Sequence, residues 1–262
     1  MVYADVNGQR IAYDDSGGSG PPVLFAHGFL MDRTMFAPQV AALKDEFRCI
    51  SYDERGWGET QYDGKPFTYW DLAEDAVGLL DALDVQQATL AGMSQGGFLS
   101  LRAALAHPTR VKALVLIDTQ SGVEDPANQG AYDAMRDEWL TNGPQDPLAT
   151  AVAGIILGSE NAVVAPWVAK WQAAPKENLA TPFACLSERD DITGRLGEID
   201  CPALVVHGTE DAAIPMEKAE ELCERLPNCA GLVRIEGGTH ASNLTHPDKV
   251  NPAMQEFLRK YA

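Results

Sequence analysis

The sequence predicts a mostly parallel, twisted α/β sheet with helices on both faces and a helical insertion above one edge. Three observations carry this. Short apolar runs alternate with stretches of helical spacing from Val23 to Ile117, the pattern of a parallel sheet covered on both sides. The alternation stops at Ser121 and resumes at Ala203. The 262 residues are 45% apolar, enough for one well-buried core without a forced second domain.

The elements follow in order. Val2–Val6 and Arg10–Tyr13 alternate around Asn7-Gly8, a hairpin signal. Residues 16–20 form a Gly/Ser loop, and Val23–Ala26 is a strand ending at His27-Gly28. Thr34–Leu43 has helical spacing, Phe47–Tyr52 reads as a buried strand, and Asp53–Thr60 is a polar, Gly-rich loop. Thr68 with Asp71 three residues on reads as a capping signal before a helix carrying Leu72, Val77, Leu80 and Leu83 on one face. Ala88–Met93 is a strand, Gln95–Ala106 a helix stopped by Pro108, and Val111–Ile117 a strand. After the break come a strand at Ala203–Val206, a helix at Met216–Leu226, a strand at Gly231–Ile235 and a helix at Asp248–Tyr261. The predicted organisation is a core of residues 1–121 and 196–262 with a helical cap of residues 122–195. Such an insertion would sit over the carboxyl edge of the sheet, where open α/β sheets bind ligands.

Charge narrows the partners. The net charge of −18 repels nucleic acid and anionic lipid surfaces. No apolar run reaches spanning length, and Met1–Asp15 shows no signal-peptide pattern. Five scattered cysteines (Cys49, Cys185, Cys201, Cys223, Cys229) without a Cys-x-x-Cys pair fit free thiols in a reducing cytoplasm, with a Cys223–Cys229 pair as the alternative. Gly17-Gly18-Ser19-Gly20 precedes a strand instead of opening a helix, so it does not read as a dinucleotide loop. The pattern calls for no metal and no cofactor.

The segment Gly92-Met93-Ser94-Gln95-Gly96 stands where a strand becomes a helix. That context makes Ser94 a candidate nucleophile on a strained turn, with the Gln95 N–H at the helix start aimed at a developing oxyanion. A serine hydroxyl needs a base. His240 follows the last strand through Gly237-Gly238-Thr239 and is the preferred base; His27 is a rival by position, while His107, His207 and His246 fit less well. The imidazole needs a carboxylate. Asp211, just past the Ala203–Val206 strand, is preferred, with Asp118 and Glu210 as alternatives. The second oxyanion donor is assigned to the N–H of Phe29, in the loop after Val23–Ala26.

With these residues the whole chain resembles the α/β-hydrolase superfamily, most weakly between Gly122 and Arg195. It is similar to small bacterial hydrolases of the 3-oxoadipate enol-lactonase-like or carboxylesterase-like kind. Tyr52-Asp53-Glu54-Arg55-Gly56-Trp57-Gly58-Glu59-Thr60 is similar to that group's D-x-R-G-x-G-x-S segment, with Thr60 in place of serine, and His27-Gly28-Phe29 matches its oxyanion loop. Ser94 stands where epoxide hydrolases and haloalkane dehalogenases have aspartate and dienelactone hydrolases have cysteine. Phe29-Leu30 departs from the Gly-Gly-Pro of proline iminopeptidases.

The resemblance implies hydrolysis of a carboxylic ester or lactone through an acyl-serine intermediate. Perhydrolysis of the haloperoxidase kind, or small-molecule sensing on the same fold, are the alternatives. The expected partner is a small neutral ester or lactone. Among the basic residues of the insertion, Arg136, Lys170, Lys176, Arg189 and Arg195 are candidate anchors for a substrate anion, and the tryptophans Trp139, Trp167 and Trp171 are candidates for packing.

Overall fold

A computed structural model describes residues 2–159 and 161–262; Met1 and Glu160 lie outside the described residues. Strands β1 (Val2–Val6) and β2 (Gln9–Asp15) pair antiparallel, with Val6 opposite Gln9. Asn7 and Gly8 connect them with φ of 49° and 78°, the left-handed backbone that a two-residue hairpin demands and that Asn and Gly tolerate best.

Then β3 (Pro22–Ala26) leads through a 3-10 turn at Arg33–Phe36 into α1 (Ala37–Leu43) and β4 (Arg48–Tyr52). Helix α2 (Tyr69–Ala82) opens on a complete capping box, in which the Thr68 side chain accepts from Asp71 N–H and the Asp71 carboxylate accepts from Thr68 N–H. Strand β5 (Ala88–Met93), helix α3 (Gln95–Ala106) and strand β6 (Val111–Ile117) follow at the predicted positions. Later come β7 (Ala203–Gly208), α8 (Met216–Arg225), β8 (Cys229–Ile235), the short α9 (Ser242–Thr245) and α10 (Pro247–Tyr261).

The eight strands of the described residues form one sheet in the order β1-β2-β4-β3-β5-β6-β7-β8. All neighbours from β4 through β8 are parallel, and the β1–β2 hairpin adds an antiparallel edge. The pleat divides the strands between two cores. Leu24, Leu90, Leu114 and Val205 face one core, shared with α2, α3 and α8. Val23, Phe25, Val115 and Val206 face the other, shared with α1 and α10. Both faces are therefore dry, which is why the central strands read as continuous apolar runs.

Between β6 and β7 the described residues form helices α4 (Gln129–Asn142), α5 (Leu148–Leu157), α6 (Val164–Ala173) and α7 (Ala180–Ser187). Trp139, Trp167, Trp171 and Phe183 are buried in the second core. Trp139 and Trp171 lie 6.2 Å apart, and the Trp171 indole N–H donates to the Leu30 carbonyl at 2.7 Å. The tryptophans pack, and the polar edge of Trp171 is satisfied by the loop after β3.

One expectation is corrected. Cys223 and Cys229 form a disulfide, with Cα atoms 5.3 Å apart, while Cys49, Cys185 and Cys201 are free. The chain reverses between the end of α8 and the start of β8, which brings the two thiols together. The cysteines thus give no argument for a reducing compartment. No described helix is long and apolar enough to cross a membrane.

Candidate active site

Ser94 sits between β5 and α3 with φ 50° and ψ −114°, a conformation that costs an L-residue energy and needs its surroundings to hold it. Those surroundings are specific. Ser94 N–H donates to Ile117 O at 2.9 Å, and Thr119 Oγ1 donates to Ser94 O at 2.7 Å. A Cβ on Gly92 would collide with the Gly96 carbonyl, and one on Gly96 with the carbonyl of Ala26. The two glycines therefore let strand and helix approach closely enough for the turn to exist.

The hydroxyl so presented meets the loop after β8. Ser94 Oγ is 3.0 Å from His240 Nε2, and His240 Nδ1 is 2.9 Å from Asp211 Oδ2. With Nδ1–H donating to Asp211, Nε2 is left to accept the serine proton. Asp211 Oδ1 accepts from the N–H groups of Ala213 and Ile214 at 2.8 and 2.9 Å. Burial opposes ionisation of Asp211, but His240 and these N–H groups outweigh it and hold the carboxyl below its ordinary value. Burial likewise disfavours charge on His240, but Asp211 outweighs it, and the imidazole titrates above its ordinary 6.5. The arrangement can take a proton from Ser94 and stabilise the imidazolium that results.

Asp118, the alternative acid, is close but engaged elsewhere. It follows β6 with φ 47°. Its Oδ1 accepts from Gly208 N–H and its Oδ2 from Ser242 N–H, both at 2.8 Å. It thereby ties the end of β7 to the loop that carries His240. Burial and the charge of Asp211 push its carboxyl up to about 7. His207 lies beneath, with Nε2 2.8 Å from Ile214 O, and burial lowers its pKa. Among the described residues Asp118, His207 and Asp211 are the one group near enough to share an ion, their donor atoms within 4.8 Å of one another. The carboxylate oxygens already accept protein hydrogens, so the group reads as support for His240.

The remaining predicted residues fall around Ser94. Gln95 opens α3, so its N–H has no carbonyl one turn earlier to bond. Phe29 lies in a turn closed by Met31 N–H to Gly28 O at 3.0 Å, with Leu30 at φ 65°; its own N–H takes no part in that bond. His27 is fully buried. Glu54 N–H donates to His27 Nε2 at 3.0 Å, so Nδ1 carries the proton and donates to Gly28 O at 2.8 Å. It shapes the loop and is not placed against Ser94. His107 is 2.7 Å from Glu74, and His246 is the residue just before α10.

Glu54 was not singled out by sequence. It is buried, and its Oε2 accepts from Gln95 Nε2 at 2.6 Å, while Tyr69 OH donates to Gln95 Oε1 at 3.3 Å. Burial holds its carboxyl well above the glutamate range. The Gln95 side chain is thereby fixed from both ends, beneath its own N–H. The neighbouring Thr60 keeps a serine-like role, its hydroxyl donating to Asp53 O at 2.6 Å.

A cavity of about 290 Å³ opens over Ser94 and His240. Phe29, Leu30 and Phe98 line one side, and Met135, Val152 and Ile156, from α4 and α5, line the other. Tyr132, Glu124 and Arg189 add polar groups. Residues 21–247 match the family model described as alpha/beta hydrolase fold. The chain belongs to the alpha/beta hydrolase family.

Relatives of this alpha/beta hydrolase cover nearly its whole length. A Synechocystis sp. protein provisionally named a non-heme chloroperoxidase is 31% identical, over 99% of this chain and 100% of its own. A thermophilic esterase from Thermogutta terrifontis, solved with malate bound, superposes with a TM-score of 0.89 at 30% identity, covering 99% of this chain and 98% of its own. The enol-lactonase from Burkholderia xenovorans LB400 superposes with a TM-score of 0.88 at 29% identity, covering 99% and 100%.

The geometry of the site ties proton uptake by His240 to pH. His240 must be neutral to accept a proton, and its pKa is raised. The kcat/KM of an ester should therefore fall as pH drops through a value above 6.5. In Asp211→Asn the largest of the charges that raise it is gone, Asp118 and Glu124 stay, and burial remains, so the limb should move to lower pH. A pH–rate profile of both proteins checks this; a limb unmoved by the substitution would separate Asp211 from His240.

Proposed function

We propose that this alpha/beta hydrolase cleaves carboxylic esters or lactones of small molecules through an acyl-serine intermediate. The observation that carries the reading is the chain Ser94–His240–Asp211, at 3.0 and 2.9 Å, on the floor of a largely apolar cavity. His240 takes the Ser94 proton as Oγ attacks the carbonyl carbon. The N–H groups of Phe29 and Gln95 hold the oxyanion. His240 then protonates the leaving alcohol, takes a proton from the water that attacks the acyl carbon, and returns that proton to Ser94 Oγ as the acid departs. Residues 122–195 act as a cap that shapes the pocket over a core of residues 1–121 and 196–262. The esterase and enol-lactonase among the structural neighbours support this chemistry.

The test is a panel of aryl esters, alkyl esters and lactones on purified protein, followed through many turnovers with and without hydrogen peroxide. Sustained cleavage of esters or lactones in water is expected. Cleavage that stops after one equivalent would favour a sensor, and product formed only with peroxide would favour perhydrolysis.

A further inference from the structure

Of the five basic residues that the sequence offered as anchors for an anion, Arg189 is the one that lines the cavity over Ser94. Its side chain is only 3% exposed. The guanidinium stacks 4.7 Å from the Phe98 ring, and Phe98 is one helical turn from Ser94, bonding its carbonyl at 3.2 Å. Nε donates to Gly122 O at 3.1 Å and Nη1 to Leu186 O at 2.7 Å. The next residue, Asp190, is pinned to α3 by Arg102 at 2.7 Å. Arg189 is thus held rigid, and its remaining donor, Nη2, faces Glu124.

That pairing is incomplete. Nη2 and Glu124 Oε2 are 3.8 Å apart, beyond hydrogen-bond reach. Glu124 is itself mostly buried and lines the same cavity, held by Asn128 Nδ2 at 3.2 Å. Tyr132 completes the wall, its hydroxyl directed at Glu124; burial and Glu124 push its phenol up to about 12, so it remains a donor toward that carboxylate. Burial lowers Arg189 from its ordinary value, but an arginine keeps its charge in proteins. A buried, fixed guanidinium with an unused donor is a carboxylate site. A glutamate facing that guanidinium cancels its field.

We propose that Arg189 is the polar anchor of the substrate pocket and that Glu124 masks it, so that the site selects neutral esters or lactones over analogues bearing a carboxylate. A neutral hydroxyl in the cavity beside the two charges can accept from Arg189 Nη2 while donating to Glu124. A carboxylate there gains Arg189 but meets Glu124, and like charges at close quarters in a desolvated pocket repel strongly.

The inference rests on the ester-hydrolase reading, and a matched substrate pair tests the two separately. 4-Nitrophenyl hexanoate and mono-4-nitrophenyl adipate share a six-carbon acyl chain and differ in a terminal carboxylate. The readout is the ratio of their kcat/KM values, taken on the pH plateau. Wild type should favour the hexanoate, and Glu124→Gln should shift the ratio toward the adipate ester by about tenfold or more. High salt should leave most of that shift, since the pair is buried. Adding Arg189→Gln, which keeps a donor for the neighbouring carbonyls, should erase it. A wild-type preference for the adipate ester, an unchanged ratio in Glu124→Gln, or a shift that survives loss of Arg189 would overturn the inference. Failure of wild type to cleave either ester would instead count against the hydrolase reading.

Discussion

Ser94→Ala should fold as the wild type does and turn over esters about 10⁴–10⁶-fold more slowly. The size follows from what is removed. Ser94 Oγ is the atom within 3.0 Å of His240 Nε2, and without it no acyl-enzyme can form. The backbone strain at φ 50° is held by hydrogen bonds to Ile117 and from Thr119 that use main-chain atoms of residue 94. Alanine keeps both, so the thermal midpoint should change little. Steady-state kinetics beside a melting curve separate the two effects. Near wild-type turnover in a folded Ser94→Ala protein would contradict the mechanism.

Asp211→Asn is expected to lower kcat by about 10⁴. The amide cannot accept at Oδ2 and also keep the bonds from Ala213 and Ile214 without turning its NH₂ toward a donor. It would leave His240 in the wrong tautomer and its imidazolium without a counter-charge. Asp118→Asn should behave differently. It sets an NH₂ against Gly208 or Ser242 N–H, and losing one such buried bond costs about 1–3 kcal/mol. Its signature is therefore a lowered melting temperature with a smaller loss of kcat. If the two variants exchange behaviour, the acid is Asp118.

The strand–turn–helix around Ser94 was legible to the residue. An apolar run, two small residues flanking the serine and Pro108 after the helix each act within a few positions, and local signals of this kind survive in sequence. The choice between Asp118 and Asp211 was less legible. Both follow neighbouring strands, and β6 pairs directly with β7, so spacing places two carboxylates on one edge. What distinguishes them is which oxygens meet backbone N–H groups, a fact of loop geometry.

Residues whose partners lie far along the chain were hidden in the same way. Glu54 acts on Gln95 across 41 positions, and Arg189 reaches the Gly122 carbonyl across 67. The basic residues between β6 and β7 look alike as letters, yet Lys170 pairs with Asp32 and Arg195 with Glu198 at the surface, while Arg189 turns inward. The Cys223–Cys229 bond depended on how tightly the chain reverses between α8 and β8, and scattered spacing does not encode that.

The most direct measurement of the central claim is covalent labelling with an organophosphonate ester, read by intact mass and peptide mapping. One adduct per chain is expected, on Ser94, formed in step with the loss of esterase activity and absent from Ser94→Ala. An adduct on another residue, or full labelling without loss of activity, would contradict it.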